Sequence, residues 1–142
     1  MTASIGCRRA PLEADDKRMQ NYRNLVAWRR AHALVIAGYA VARALPREER
    51  FELTSQLRRA LVSITSNIAE GAGRDGDRAF AAALSVASGS AAEVENLLLV
   101  ARDVGYLTCE AHEPLDAAIV DVRKLIYRLR SAVVTRSQFR RH

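Results

Sequence analysis

The chain has 142 residues, of which 49% are hydrophobic and 27% charged. That is one domain's worth of sequence with enough apolar material for a core, so wholesale disorder is excluded. No run of 18 apolar residues occurs, which argues against a membrane span. The first 20 residues carry Arg8, Arg9, Asp15, Asp16, Lys17 and Arg18 and no long apolar stretch, unlike a secretory signal. Two cysteines, Cys7 and Cys109, cannot build a disulfide scaffold or a four-cysteine zinc site, and the expected compartment is the cytoplasm.

The formal net charge is +6, from 22 basic and 16 acidic residues. From Val122 to His142 there are seven bases (Arg123, Lys124, Arg128, Arg130, Arg136, Arg140 and Arg141) and no acid. The rest of the chain is close to neutral, so the whole excess sits at one end. Arginine presents a planar fork that matches phosphate, so a basic end suits a polyanion; it equally suits a solvated tail.

Residues 1–21 show no clear period and read as a loose arm. Helix one is expected from about Leu25 to Leu45, with Asn24 as a candidate cap. Leu25, Trp28, His32, Val35, Tyr39 and Ala42 recur at helical spacing. Leu34, Val41 and Leu45 fall on roughly the opposite side. A helix apolar on two sides is covered on two sides, which predicts a second copy of the chain against Leu34, Val41 and Leu45. His32, on the first stripe, reads as a buried, hydrogen-bonded core histidine.

Helix two is expected from about Phe51 to Ala72, with Leu53, Leu57, Ala60, Ile64 and Ile68 inward and Gly71 and Gly73 at its end. Beside that stripe runs a polar row: Gln56, Arg59, Ser63, Asn67, Glu70 and Arg74. It reads either as a ligand site or, in preference, as a structural row. In the structural reading, Asn67 and Glu70 tie the following turn and Arg59 closes a salt bridge. Asp75 or Asp77 can cap helix three, expected from about Arg78 to Val104. Its inner stripe is Phe80, Leu84, Ala87, Ala91, Val94, Leu98 and Ala101. Gly89, mid-helix, costs about 1 kcal/mol relative to alanine, which predicts close approach of a neighbouring helix. Gly105 stops this helix and Thr108 opens helix four, with Leu115, Ile119, Val122, Ile126, Leu129 and Val133 inward.

Four long amphipathic helices with short loops predict an all-α, antiparallel up-down-up-down four-helix bundle over residues 22–134, followed by a basic tail over 135–142. On helix four, Arg123, Lys124, Tyr127, Arg128 and Arg130 share an arc of roughly 160° opposite the core. An aromatic ring inside a basic arc suits phosphate contact with base stacking, or an ordinary solvent face.

Catalytic chemistry is not signalled. No glutamate has a histidine three residues on, as a di-metal bundle requires, and no phosphate loop, nucleophile elbow or dinucleotide fingerprint occurs. Cys109 and His112 have ligand-like spacing but no second pair. The reading is therefore of a non-enzyme with no catalytic residues, no metal and no cofactor.

The stretch Leu53-Thr54-Ser55-Gln56-Leu57-Arg58-Arg59-Ala60, then Ser63-Ile64, then Asn67-Ile68-Ala69-Glu70-Gly71 and Arg74, resembles the signature of the 23S rRNA intervening sequence proteins. Tyr22-x-x-Leu25-x-x-Trp28 matches their opening motif. Phe80, Ala87-Ser88-Gly89-Ser90, Glu93 and Glu95 match their third helix, and Gly105-Tyr106-Leu107 the turn into the fourth. The resemblance covers about residues 22–133. It implies a cytosolic bacterial four-helix bundle assembling as a homopentamer, akin to the basic accessory proteins of diversity-generating retroelements. It carries over no catalytic residue, and the arm and arginine tail look like local additions.

Two functions follow as expectations. In the first, a homo-oligomer binds structured RNA or DNA through Arg123, Lys124, Arg128 and Arg130, with Tyr127 stacking and Arg136, Arg140 and Arg141 adding diffuse attraction. In the second, the same oligomer is a scaffold that docks a partner protein and has no direct nucleic-acid role.

Overall fold

The computed structural model describes residues 21–141; the expected arm over 1–20, with Cys7, lies outside them. A 3-10 turn at Tyr22–Asn24, held by the Asn21 side chain accepting from the Arg23 N–H, leads into α1, Val26–Ala44. Asn24 belongs to that turn, and Leu25 occupies the cap of α1 without a side-chain bond. Then come α2 (Leu53–Gly73), α3 (Asp77–Asp103) and α4 (Cys109–Phe139), and no strand occurs among the described residues. Thr108 caps α4 as its sequence suggests, its hydroxyl accepting from the Ala111 N–H at 3.1 Å. Neither Asp75 nor Asp77 caps α3. Gly76, with a φ of 100° open to glycine, holds that position, and Asp77 turns instead toward α4.

Each helix packs against its two sequence neighbours around the bundle, α1 closing the ring against α4, and the diagonal pairs are not adjacent. The pairs that meet run in opposite directions. Gly38 lies against Leu61, Gly71 against Phe80 and Ala83, Ser63 against Ser90, Glu95 against Arg123, and Asp77 against Arg136. The expected antiparallel bundle is what forms.

The inner stripes of α2 and α3 are buried as the periodicity predicts, and those of α4 too, with Leu129 packed half-buried against the core. α1 departs from expectation. Its buried row is Ala27, Ala31, Leu34, Gly38 and Ala42, with Leu45 just beyond. Leu34 and Leu45 therefore lie in the core of their own chain, unavailable to a second copy, and Val41 packs half-buried against that core. The reason is close packing. A Cβ on Gly38 would come 2.5 Å from Leu61 Cδ1, so α1 turns its smallest residues inward and leaves larger ones outside. His32 is exposed rather than buried, stacked on Trp28 at 4.7 Å, with Tyr22 edge-on to the same indole at 5.2 Å. This explains the spacing of the opening aromatic motif: the rings lock the 3-10 turn to the first turns of α1.

The Gly89 expectation also fails within one chain. A Cβ there would meet nothing within 4 Å, and Gly89 sits on the outer face of α3. α4 runs to Phe139, beyond the expected end of the bundle, because Arg136 clamps it to α3. Arg136 Nε donates to both Asp77 carboxylate oxygens at 3.1 Å and Nη2 to Oδ1 at 2.8 Å, and Arg140 approaches at 3.8 Å. The Arg136 hydrogen bonds, helped by the charges of Arg136 and Arg140, hold the Asp77 carboxyl below the usual carboxylate range against the opposing effect of burial.

Ile64 and Leu98 are fully enclosed. Truncating either to alanine is expected to cost about 2–5 kcal/mol, read as a lower urea midpoint. Gly71→Ala is expected to destabilise by about 1–3 kcal/mol through overpacking, because its Cβ would sit 2.7 Å from the Ala83 Cβ, which has no rotamer to give way. For Asp77 the folded pKa lies below the unfolded one, so its contribution is complete above the ordinary carboxylate range of about 4 and is lost as pH falls through the folded value. Asp77→Asn is expected to lower stability at pH 7 by about 1 kcal/mol, Arg136 being half-exposed and screened, and to flatten the acid limb of stability against pH.

Candidate nucleic-acid interface

The periodicity that buries Leu115, Ile119, Val122 and Ile126 sends Val120, Arg123, Lys124, Tyr127 and Arg128 to the outer face of α4. With Ser88 of α3 these residues line an open groove of about 520 Å³. Four of the sequence-predicted residues thus share one concavity. Tyr127 stands at its middle with 73% of its surface exposed.

The arginines in and around the groove are not equivalent. Arg123 Nη1 donates to both oxygens of Glu95 on α3 at 3.1 Å, which fixes the guanidinium along the α3–α4 seam. Arg130 Nε donates to the Ala81 carbonyl at 3.3 Å, so its head also lies over that seam. Arg136 and Arg140 converge on Asp77, as described above. Lys124, Arg128 and Arg141 make no ion pair among the described residues. The basic arc is therefore divided: Lys124 and Arg128 flank Tyr127 with their charge uncompensated, while Arg123, Arg136 and Arg140 help hold two helices together.

At the α2–α3 turn, Arg74 joins Arg136 and Arg140 around a cleft of about 160 Å³ that also contains Gly76 and Asp77. Arg74 was read as part of the polar row; its membership of this basic cluster depends on the fold. Ser88 stood in the sequence only as part of the third-helix motif, with nothing to link it to the groove, which it reaches by helix pairing.

The polar row is split as well. Asn67 Nδ2 donates to the Ser63 carbonyl at 2.8 Å and to Ser63 Oγ at 3.1 Å, and the Ser63 and Ser90 hydroxyls share a bond of 2.7 Å across α2 and α3. Asn67 thus supports the helix seam and not the turn. Glu70 and Arg74 form an exposed i,i+4 pair at 3.8 Å. Arg59 closes no salt bridge among the described residues; it lines a shallow surface depression with Tyr39, Arg58 and Ser66. Gln56 is exposed at the start of the row. The six residues do not converge on one ligand-sized cavity.

Cys109 is exposed, whereas His112 is buried with Nε2 facing no partner among the described residues, so the pair does not open on one ligand position.

The geometry of the described residues is that of a helical bundle with a basic groove on α4, and the comparisons agree with the bundle fold. No curated protein matches the chain. Among solved structures it is similar to a protein of unknown function from the S23 ribosomal protein family of Bacteroides thetaiotaomicron VPI-5482. The two share 23% identity with a TM-score of 0.69 over 73% of this chain and 97% of that one, which is a likeness of fold. The model of the 23S rRNA-intervening sequence protein family matches residues 23–128, through all four helices and into the groove. The chain belongs to the 23S rRNA-intervening sequence protein family.

Proposed function

We propose that the protein is a non-enzymatic homo-oligomer, a pentamer on the family resemblance, that works in the cytoplasm. It binds structured RNA or DNA through the outer face of α4. The observation that carries this reading is the groove itself: an exposed tyrosine between two uncompensated cations, Lys124 and Arg128, on a helix fixed by salt bridges on either side. Phosphates meet the cations and an unpaired base stacks on the ring. Arg130 and Arg141 extend the positive field along the helix. Repeating a weak patch on every subunit raises overall affinity without any new contact.

A second reading, a scaffold that docks a partner protein, has its own support at the opposite end of the bundle. There Phe51 and Val104 are exposed, and Glu48, Glu49, Glu52, Asp103 and Glu110 outnumber Arg47, Arg50 and Arg102 around them, Arg50 lying over the Phe51 ring and Arg102 pairing with Asp103. Tyr106 donates to Glu49 Oε1 at 3.1 Å while Glu49 Oε2 accepts from the Leu53 N–H, so the two loops are braced together. The acidic excess at this end disfavours phosphate and suits a basic polypeptide. Pull-down with and without nuclease separates the readings: a partner lost with nuclease favours the first, one retained favours the second.

Filter binding of structured RNA and duplex DNA from low to high salt tests the primary reading. Retention is expected to fall steeply, with a log–log slope of about −0.9 per phosphate contact for duplex DNA. Lys124→Glu or Arg128→Glu is expected to weaken binding on the order of tenfold at low salt and to flatten that slope. Tyr127→Ala is expected to weaken single-stranded or looped RNA by ~1–3 kcal/mol and duplex DNA far less. No retention of either nucleic acid by the unaltered protein at low salt would end this reading.

A further inference from the structure

Aromatic rings and uncompensated arginines also coincide on the side of the bundle away from the α4 groove. That groove lies on the α3–α4 seam, and the α1–α2 seam is opposite it. The Tyr22–Asn24 turn touches both α1 and α2, which puts the Tyr22–Trp28–His32 cluster on the α2 flank of α1. Tyr39 follows His32 by seven residues, two turns along the same flank and ~10.5 Å of rise. Gly38 lies against Leu61, which sets Tyr39 beside Arg58 of α2.

The seam carries two stacks of one design, a half-buried ring with a planar group laid over it. The exposed His32 imidazole stacks on Trp28, centroids 4.7 Å and planes 15° apart. The Arg58 guanidinium lies over the Tyr39 ring, 5.8 Å from its centroid. Tyr39, Arg58, Arg59 and Ser66 line an open depression of about 420 Å³. Arg43 is exposed one turn along α1 from Tyr39, and Arg23 lies over Tyr22 at the other end of the seam.

The charge here is of one sign. Arg23, Arg43, Arg58 and Arg59 make no ion pair among the described residues. α1 contains no acid, and the one acid within α2, Glu70, pairs with Arg74. Glu93, on the outer face of α3, makes no salt bridge among the described residues. Glu48, Glu49 and Glu52 follow only beyond the end of α1.

We infer that the α1–α2 seam is a second nucleic-acid site, and that its ligand is an extended single strand of RNA or DNA. One base caps the His32 imidazole and another the Arg58 guanidinium, while phosphates meet Arg43 and Arg59. The ~10.5 Å between the stacks spans about three duplex steps of ~3.4 Å. Bases in a duplex cover one another, so only an unstacked strand offers a face to each stack. Carboxylates of an acidic polypeptide would meet the arginines and leave both stacks uncapped. The inference extends the nucleic-acid reading above but does not require the α4 groove.

The test reads Trp28, the one tryptophan of the chain, which lies under His32. The full chain is titrated at low salt with short oligouridylate and oligothymidylate, with polyglutamate as the charge control, and tryptophan emission is followed. A saturable quench is expected with both oligonucleotides and none with polyglutamate. Arg43→Glu, Arg59→Glu and His32→Ala, all at exposed positions, are each expected to raise the midpoint on the order of tenfold, with helical circular dichroism unchanged. Lys124→Glu, in the α4 groove, is expected to leave this midpoint where it is. Unchanged Trp28 emission would overturn the inference, whether or not a filter retains the oligonucleotide. An equal quench by polyglutamate, or a midpoint moved by Lys124→Glu and not by Arg59→Glu, would overturn it too. If the glutamate variants prove unfolded, Arg43→Gln and Arg59→Gln decide by the same midpoint. Duplex and structured RNA retention, measured on the same samples, keeps the two sites apart. Retention without a quench sinks the seam and leaves the α4 groove standing; a quench that survives Lys124→Glu without duplex retention does the reverse.

Discussion

The burial of α3 between α2 and α4 is the interaction on which the rest of this structure depends. α3 contributes the unbroken inner row from Phe80 to Ala101, and both of its neighbours are aligned on it. Ser63–Ser90 and the Gly71 approach fix α2 against one flank; Arg123–Glu95 and Arg136–Asp77 fix α4 against the other. α1 completes the ring by less extensive contacts with α2 and α4. Apolar burial supplies the drive, and the polar contacts at the seams, most of them partly exposed, select the register more than they add stability.

That arrangement also sorts the arginines. A guanidinium forked onto a carboxylate of the next helix is oriented and partly neutralised, so it serves packing first. One whose helix neighbours offer no acid keeps its charge for solution. Glu95 and Asp77 stand where they hold Arg123 and Arg136, and among the described residues no ion pair engages Lys124 or Arg128. The groove around Tyr127 is therefore a by-product of seam chemistry one turn away at Arg123 and about two and a half turns away at Arg136.

The fold was legible in the sequence wherever a helix had a single dense apolar stripe. In α2, α3 and α4 the large side chains at spacings of three and four are the ones that went inside. α1 was harder to read because it carries apolar residues nearly all round. Hydrophobic size points to Trp28, Val35 and Tyr39 as the inner row, whereas close helix packing selects Ala27, Ala31 and Gly38 and brings Leu34 with them. The basic arc of α4 was visible as an arc, but its division into clamped and uncompensated cations was not, because the deciding acids lie 28 and 59 residues away in the chain.

The sequence by itself determined that this chain makes four amphipathic helices, that they alternate in direction through short loops, and that the positive excess lies on the last of them. Helical periodicity and local turn chemistry act within a few residues and need no partner. Only the tertiary structure decided which side of α1 turns inward, which arginines remain uncompensated, and that Gly89 faces outward. Those outcomes depend on the shape and charge of whichever helix lies opposite, which no single segment encodes.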